Sequence, residues 1–394
     1  MKNKSLLICI IGVMLFQIRL QAQVPVRPAH VIFVLEENYA RSEIIGSSYA
    51  PTLTALAASP TTVQFTSAYA ITHPSEPNYL DLFSGSNQGV TTDLVGPASN
   101  APFNNCNLGA SLIAAKFTFI GYAETQPAVG TYLNNSGNYC TKHCPWINWM
   151  HGTKDTIPVK SDLPMFPIGT YFPDSNHYST LPTVSWVIPN LVDDMHDPST
   201  LSTAVSNGDK WFKTNMMPLV RWASSVANNT LVIVIWDEDD GSQSNNIPLL
   251  FCGGIVNPGT CTTKVTHFDI LRTIEDMYGL TPCVSSPTGV DVPSSIWNLT
   301  AINALNTHAI INQLAAWPVP ANDELNVKIT SANDEKANVG IYDITGRLVK
   351  EMPAELKVGD NSFSINTSEI SNGVYFLNVI GGKINISRKI VISK

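Results

Sequence analysis

The stretch His30-Val31-Ile32-Phe33-Val34-Leu35 runs without a break into Glu36-Glu37-Asn38. A short unbroken apolar run fits a strand buried on both faces, as in a parallel sheet, because a strand with one wet face alternates polar and apolar residues. Residues 117–122, 183–188, 231–236 and 249–255 read the same way. Helices are expected between these runs, at 50–58, 76–84, 108–115, 211–226 and 267–278. Strands alternating with helices predict an α/β domain over 28–300, a mainly parallel sheet sandwiched by helices.

Ligands of such sheets sit at the carboxyl ends of the strands, and here those ends are acidic. The first strand runs into Glu37-Asn38 and the fourth into Asp237-Glu238-Asp239-Asp240. The third reaches Pro189-Asn190 shortly before Asp193-Asp194-Met195-His196-Asp197. Adjacent carboxylates repel unless a cation or solvent compensates them, so the rim is a candidate metal site. A calcium loop at Asp237 is a competing reading, but the remaining EF-hand spacing and flanking helices are absent. Oxygen donors from Glu37, Asn38, Asp237 and Glu238 suit hard divalent cations such as Mg²⁺, Ca²⁺, Mn²⁺ or Fe²⁺, with Zn²⁺ also open.

Ser75 stands in Thr72-His73-Pro74-Ser75-Glu76-Pro77-Asn78-Tyr79, where an expected helix begins. A hydroxyl at a helix N-terminus faces free backbone N–H groups, a favourable seat for phosphate, although the same pattern also describes a plain helix cap. His73, His143, His196 and His267 are candidate proton donors or phosphoryl-oxygen contacts, since histidine titrates near neutrality. Among them His196, in its acidic cluster after a strand, is the strongest candidate.

Composition bounds the partners. The 394 residues are 44% hydrophobic and 14% charged, with net charge −8. This describes a well-buried globular chain with no Lys/Arg block to neutralise a nucleic-acid backbone. Residues 1–22 read as a signal peptide: Lys2 and Lys4, an apolar stretch from Leu6 to Phe16, then Leu20-Gln21-Ala22. No later run approaches transmembrane length. Cys106, Cys140, Cys144, Cys252, Cys261 and Cys283 remain after it, an even number that favours disulfides in an exported chain. Cys252 and Cys261 could clip the turn between them, and Cys106 could meet Cys140 or Cys144. Zinc at Cys140 and Cys144 is disfavoured because no second ligand pair appears.

After a linker at 301–316, residues 317–394 change character. Short alternating strands are expected at 325–329, 339–342, 362–365, 374–379 and 384–392, forming a small β-sandwich without candidate chemistry.

Six segments recur in order: Leu35-Glu36-Glu37-Asn38 with Ile44-Ile45-Gly46, Thr72 to Tyr79, 139–146 around His143, 189–197, Trp236-Asp237-Glu238, and 267–280. Together they resemble the acid phosphatase and phospholipase C group of phosphoesterases, a branch of the alkaline phosphatase superfamily. The resemblance implies an alkaline phosphatase-like fold and transient phosphorylation of Ser75. It also implies metal ligation by Glu37, Asn38, Ser75, Asp237 and Glu238. His143 and His196 are implied near the phosphate and leaving group, with His73, Asn78 and His267 contacting substrate. Glu238 stands where some relatives carry a second Asp. The lid segments of larger phospholipase C members are missing, which favours small phosphomonoesters over bulky lipid diesters; a phospholipase C or phosphoinositide phosphatase on the same machinery is the nearest rival reading.

A sulfatase-type site is disfavoured, because Tyr79 follows Asn78 where that chemistry expects Arg two residues after its proline. A surface scaffold retaining a degenerate version of the fold is the reading from a different class. The tail, with Pro318-x-Pro320-Ala321-Asn322-Asp323, Ile341 to Arg347 and Ser371-Asn372-Gly373-Val374-Tyr375, resembles a type IX secretion sorting domain. That resemblance implies type IX machinery as a partner and delivery to the surface or medium via the periplasm.

Overall fold

A computed structural model describes residues 27–132, 135–198, 200–283, 289–300, 314–331, 334–357, 359–381 and 385–394. The expected signal peptide and most of the expected linker lie outside the described residues. Strands of the first part are β1 (His30–Glu36), β2 (Thr62–Phe65), β3 (Ala68–Tyr69), β4 (Phe119–Ala123), β5 (Asp162–Pro164), β6 (Val184–Ile188), β7 (Thr230–Trp236), β8 (Leu249–Cys252), β9 (Gly259–Cys261) and β10 (Val265–Thr266). Helices are α1 (Arg41–Ile44), α2 (Pro51–Ala57), α3 (Ser75–Ser84), α4 (Leu108–Ala114), α5 (Leu201–Trp211), α6 (Met217–Ala223) and α7 (His267–Met277).

Eight strands form one sheet in the order β5-β4-β6-β1-β7-β8-β2-β9, with β3 and β10 paired separately. The five strands from β5 to β7 are parallel; β8 runs antiparallel to both β7 and β2. Every residue of β6 and β7 is buried, as an unbroken apolar run requires when both faces are covered. The expected mainly parallel α/β sheet is therefore present.

Two local differences have physical reasons. The helix expected at 211–226 begins ten residues earlier, at Leu201, and passes through a π-helical turn at Phe212–Met216 into α6. Its buried face there is built largely of small residues, Ala204, Val205 and Gly208, among Ser, Thr and Asn, so the sequence understates its length. Cys106 pairs with Cys283 across a sequence separation of 177, while Cys140, Cys144, Cys252 and Cys261 are free thiols. The pairings expected from proximity in sequence are thus corrected: long-range docking of the chain decided the partner.

The C-terminal part builds a second core. Strands β11 (Leu314–Trp317), β12 (Glu324–Ser331) and β15 (Gly359–Asn366) form one antiparallel sheet. Strands β14 (Leu348–Leu356), β13 (Glu335–Asp343), β16 (Gly373–Gly381) and β17 (Asn385–Ile392) form the other. Leu325, Val327 and Ile329 from the first sheet join Val339, Ile341, Leu377, Val379 and Ile390 from the second in one buried cluster, the interior of a β-sandwich. β11 starts inside the expected linker. β14 was hidden by Pro353, which is tolerated because β14 is an edge strand. Among the described residues, no helix is long and apolar enough to cross a membrane.

Candidate active site

The register of the parallel core sets the acidic rim. Glu36 on β1 pairs with Trp236 on β7, so Glu37 and Asp237 leave adjacent strands at one level. The Asp237 N–H donates to the Glu36 carbonyl (3.1 Å), and the Asn38 N–H to Asp237 Oδ1 (3.2 Å). On the other side of β1, the loop after β6 returns its Asp194 carbonyl to the Glu37 N–H (2.8 Å). Asn38 turns the chain with φ +50°, a left-handed conformation that Asn adopts more readily than most residues.

Ser75 is brought to this rim by α3. It is the first residue of the helix; Pro74 holds the cap position and makes no side-chain cap bond, so Ser75 is not spent on capping. Gly85, with φ +69°, closes the far end by donating to the Asp81 carbonyl. Ser75 Oγ lies 3.0 Å from Glu238 Oε1, 3.2 Å from Glu37 Oε2 and 3.4 Å from the Asn38 amide. Turned with Nδ2 inward, that amide donates to Glu238 Oε1 (3.1 Å) and Glu37 Oε2 (3.2 Å). Three segments distant in sequence, the start of α3 and the ends of β1 and β7, thus meet around one hydroxyl.

The second oxygen of Glu37 faces away from Ser75. Its Oε1 accepts from the Tyr79 hydroxyl (2.5 Å) and sits 3.0 Å from His143 Nε2. His143 Nδ1 faces Asp194 Oδ2 at 3.3 Å, and Tyr79 stacks on the imidazole with ring planes 7° apart. The His143 turn is fixed by Trp146, which donates to Asp162 Oδ1 (2.8 Å) and packs where any side chain at Gly121 would collide with it.

Electrostatics argue for a cation. Burial, then the neighbouring Asp237, pushes Glu37 up to about 8. Burial also pushes Glu238 up to about 8, and burial followed by Glu238 lifts Asp237 well above the carboxylate range. Asp194 is lifted by burial and Glu37. Such a cluster is unfavourable when ionised unless positive charge is added. The buried Asp237 Oδ2 also meets no hydrogen-bond partner. The donor set, oxygen from Glu37, Asn38, Ser75, Asp237 and Glu238, fits a hard divalent cation. Glu37, His143 and Asp194 also lie close enough to hold an ion, but the two imidazole nitrogens face opposite carboxylates, so one ion can take only one of them.

A cleft of about 600 Å³ is lined by Asn38, His73, Pro74, His196, Glu238 and Asp239 among others, so it borders the neighbours of the buried Ser75. His73 reaches Glu238 Oε2 (2.5 Å) and Asp239 Oδ1 (3.5 Å) with its ring 47% exposed. His196, partly exposed, also lines the cleft, its Nδ1 3.1 Å from Asp197.

Three expected site residues do not line the cleft. His143 is fully buried, with burial holding its pKa well below the ordinary histidine value; it props Glu37 and does not face the cleft. His267 is buried behind β7, where its Nε2 meets the Trp236 carbonyl (3.1 Å) and burial pulls its pKa down to about 4. Asn78 spends its whole amide on the loop before α3: Oδ1 accepts from Ile71 and Thr72, and Nδ2 donates to the Thr72 and Pro74 carbonyls. It shapes the His73–Ser75 turn and has no donor left for substrate.

Tyr79 and Asp194, which contact Glu37 and His143, are not singled out by the sequence.

Residues 47–281 match the Phosphoesterase family, and residues 315–393 match the secretion system C-terminal sorting domain, which marks the chain for secretion. The chain is 40% identical over 269 residues to a phosphatidylinositol-3-phosphatase of Mycobacterium tuberculosis, covering 68% of this chain and 83% of that protein. It is 26% identical over 279 residues to an acid phosphatase of Aspergillus fumigatus, covering 66% of this chain and 59% of that one. A solved protein of the alkaline phosphatase superfamily from Vibrio parahaemolyticus superposes with TM-score 0.47 at 14% identity, over 84% of this chain and 83% of that one. Matched over more than half its length, with relatives named as phosphatases, this chain belongs to the Phosphoesterase family.

Proposed function

We propose that this chain hydrolyses phosphate monoesters through a covalent phosphoserine at Ser75, in a site completed by a divalent cation. The observation carrying the reading is Ser75 Oγ within 3.0 to 3.4 Å of Glu238, Glu37 and Asn38, at the start of a helix, with Asn38 and Glu238 also lining the cleft. Glu37, Asn38, Asp237, Glu238 and Ser75 would hold the cation, which supplies the charge that balances the carboxylates and favours the ionised hydroxyl. Ser75 Oγ forms the new O–P bond as the substrate's ester P–O bond breaks, and the departing oxygen takes a proton from His196. Water then attacks the phosphoserine and passes a proton back to His196 as the P–O bond to Ser75 breaks, releasing inorganic phosphate and restoring both groups. His143, Asp194 and Tyr79 keep Glu37 oriented throughout.

A second reading, attack on the phosphate of a phosphoinositide headgroup, is favoured by the name of the Mycobacterium tuberculosis relative. We assign the catalytic unit to 28–300 and export through the periplasm by the type IX route to the C-terminal sandwich, a reading supported by the sorting-domain match over 315–393. A scaffold role is weakened because the nucleophile, carboxylates and a cleft-facing histidine all converge.

Hydrolysis of a chromogenic phosphomonoester by the mature protein, by Ser75→Ala, and by each with chelator tests the reading. Activity abolished by both changes is expected. Full activity in Ser75→Ala would remove the nucleophile, and activity on phosphoinositides alone would move the assignment to lipid headgroups.

A further inference from the structure

The cleft of about 600 Å³ is far larger than a phosphoryl group, and its charged walls carry one sign. Glu43, Asp197, Glu238, Asp239 and Asp240 all line it, with two histidines and no Lys or Arg. Asn38 and Glu238 contact Ser75 Oγ and also belong to the lining. A substrate whose phosphorus reaches Ser75 therefore leaves its alcohol half among these carboxylates.

Three of the carboxylates are already engaged. Glu238 faces Ser75, and Asp197 Oδ1 faces His196 Nδ1. Buried Asp239 holds its own loop, accepting the N–H groups of Gly241 (2.7 Å), Gln243 (2.8 Å) and Asn245 (2.9 Å). Glu43 in α1 and Asp240 beyond β7 differ. Glu43 Oε2 accepts the Ala40 N–H (2.9 Å), and Asp240 Oδ1 accepts the Ser242 N–H (3.1 Å). Among the described residues, Glu43 Oε1 and Asp240 Oδ2 make no hydrogen bond, and neither carboxylate pairs with Lys or Arg.

A solvated acidic rim is the plain explanation on a chain of net charge −8. It does not account for the charge gathering in the cavity beside the nucleophile, where each carboxylate repels a phosphate ester. That repulsion is offset when the alcohol itself is cationic. An alkylammonium also finds aromatic and apolar contact there, at Tyr39, Met195 and Leu201.

We propose that Glu43 and Asp240 are specificity-determining carboxylates that select phosphomonoesters of amino alcohols by holding the ammonium of the leaving alcohol. This inference rests on the phosphomonoesterase reading above. It makes headgroups with additional phosphates poor substrates, because their extra negative charge meets the same walls.

The test measures kcat/KM of the full-length protein with added divalent metal on three esters: phosphocholine, its neutral carbon isostere dimethylbutyl phosphate, and myo-inositol bisphosphate. Glu43→Gln, Asp240→Asn and the double variant are compared with the wild type. Gln and Asn keep an oxygen for the Ala40 and Ser242 N–H groups, and a thermal melt checks the fold. The wild type is expected to favour phosphocholine over the isostere by about tenfold, the scale of two partly solvated charge contacts. The double variant should bring that ratio within about twofold, by loss on phosphocholine alone. Raising the ionic strength should shrink the ratio in the wild type and leave the double variant unmoved.

Equal turnover of phosphocholine and isostere, a preference unchanged in the double variant, or a preference for the inositol bisphosphate would overturn the assignment. Failure of the parent reading has a different signature: no ester hydrolysed by the wild type, or hydrolysis persisting in Ser75→Ala. Calorimetric binding to Ser75→Ala reads the ammonium subsite apart from turnover. Tighter binding of phosphocholine than of the isostere, lost with the two carboxylates, supports it; equal binding overturns it.

Discussion

Ser75 Oγ and Glu238 Oε1 stand 3.0 Å apart across 163 residues of chain, joining the start of α3 to the end of β7. The contact places the hydroxyl against a carboxyl that burial has pushed up to about 8, so the two groups share one demand for positive charge. Replacing Glu238 by Gln should relieve that demand while removing a metal donor. Glu238→Gln is expected to melt higher than the wild type in chelator and to gain less from an added divalent ion. Its ester hydrolysis should fall by about 100-fold, the scale of losing one preorganised electrostatic group. Thermal melts with and without metal, beside kcat, check both halves.

The two histidines of the rim separate by exposure: His196 lines the cleft, and His143 is sealed between Glu37 and Asp194. His196→Ala should lose about 100-fold on alkyl phosphates and under tenfold on activated aryl phosphates, because only the poor leaving group needs a proton. His143→Ala should lose activity equally on both substrates and lower the melting temperature. A leaving-group series on the two variants distinguishes proton donation from support of Glu37.

Asp81 lies buried in α3, and burial lifts its pKa from the ordinary 3.8 to about 7. The sign follows from linkage: the folded state holds this proton where the unfolded chain has released it. The site is harmless below about pH 4 and destabilises the fold as pH rises toward 7. Asp81→Asn should therefore be stabilising at pH 8 by up to about 4 kcal/mol, at 1.36 kcal/mol per unit, and nearly neutral at pH 4. Denaturant midpoints at both values measure it; a larger gain at the lower pH would contradict the assignment.

Cys106 and Cys283 close a loop of 177 residues, and no other described cysteine is paired. Reduction, or Cys106→Ser, should cost about 2–5 kcal/mol, chiefly by freeing the unfolded chain. Urea midpoints with and without reductant measure the loss, which should be absent in Cys106→Ser once reductant is added.

Much of the fold was legible locally. The apolar runs of β1, β6 and β7 carry their own signal, because residues buried on both faces cannot be polar whatever surrounds them. The acidic endings of β1 and β7 were equally plain, and the rule placing ligands at carboxyl strand ends turned them into a site. β14 escaped because an edge strand admits a proline that a central strand would not. Tyr79 escaped because a single tyrosine in a helix carries no pattern.

By itself the sequence determined the parallel sheet, the acidic rim, Ser75 at a helix start and the export module, each written in neighbouring residues or in periodicity. Only the tertiary structure decided which of several chemically equal side chains faces the cleft. It turned His196 outward, closed His143 behind Glu37, spent Asn78 on its own loop, hid His267 behind β7 and gave Cys106 a partner far along the chain. The physical reason is that burial and hydrogen-bond partnership depend on which strands and loops pack together. Four histidines with the same intrinsic pKa become different reagents only once their neighbours are fixed.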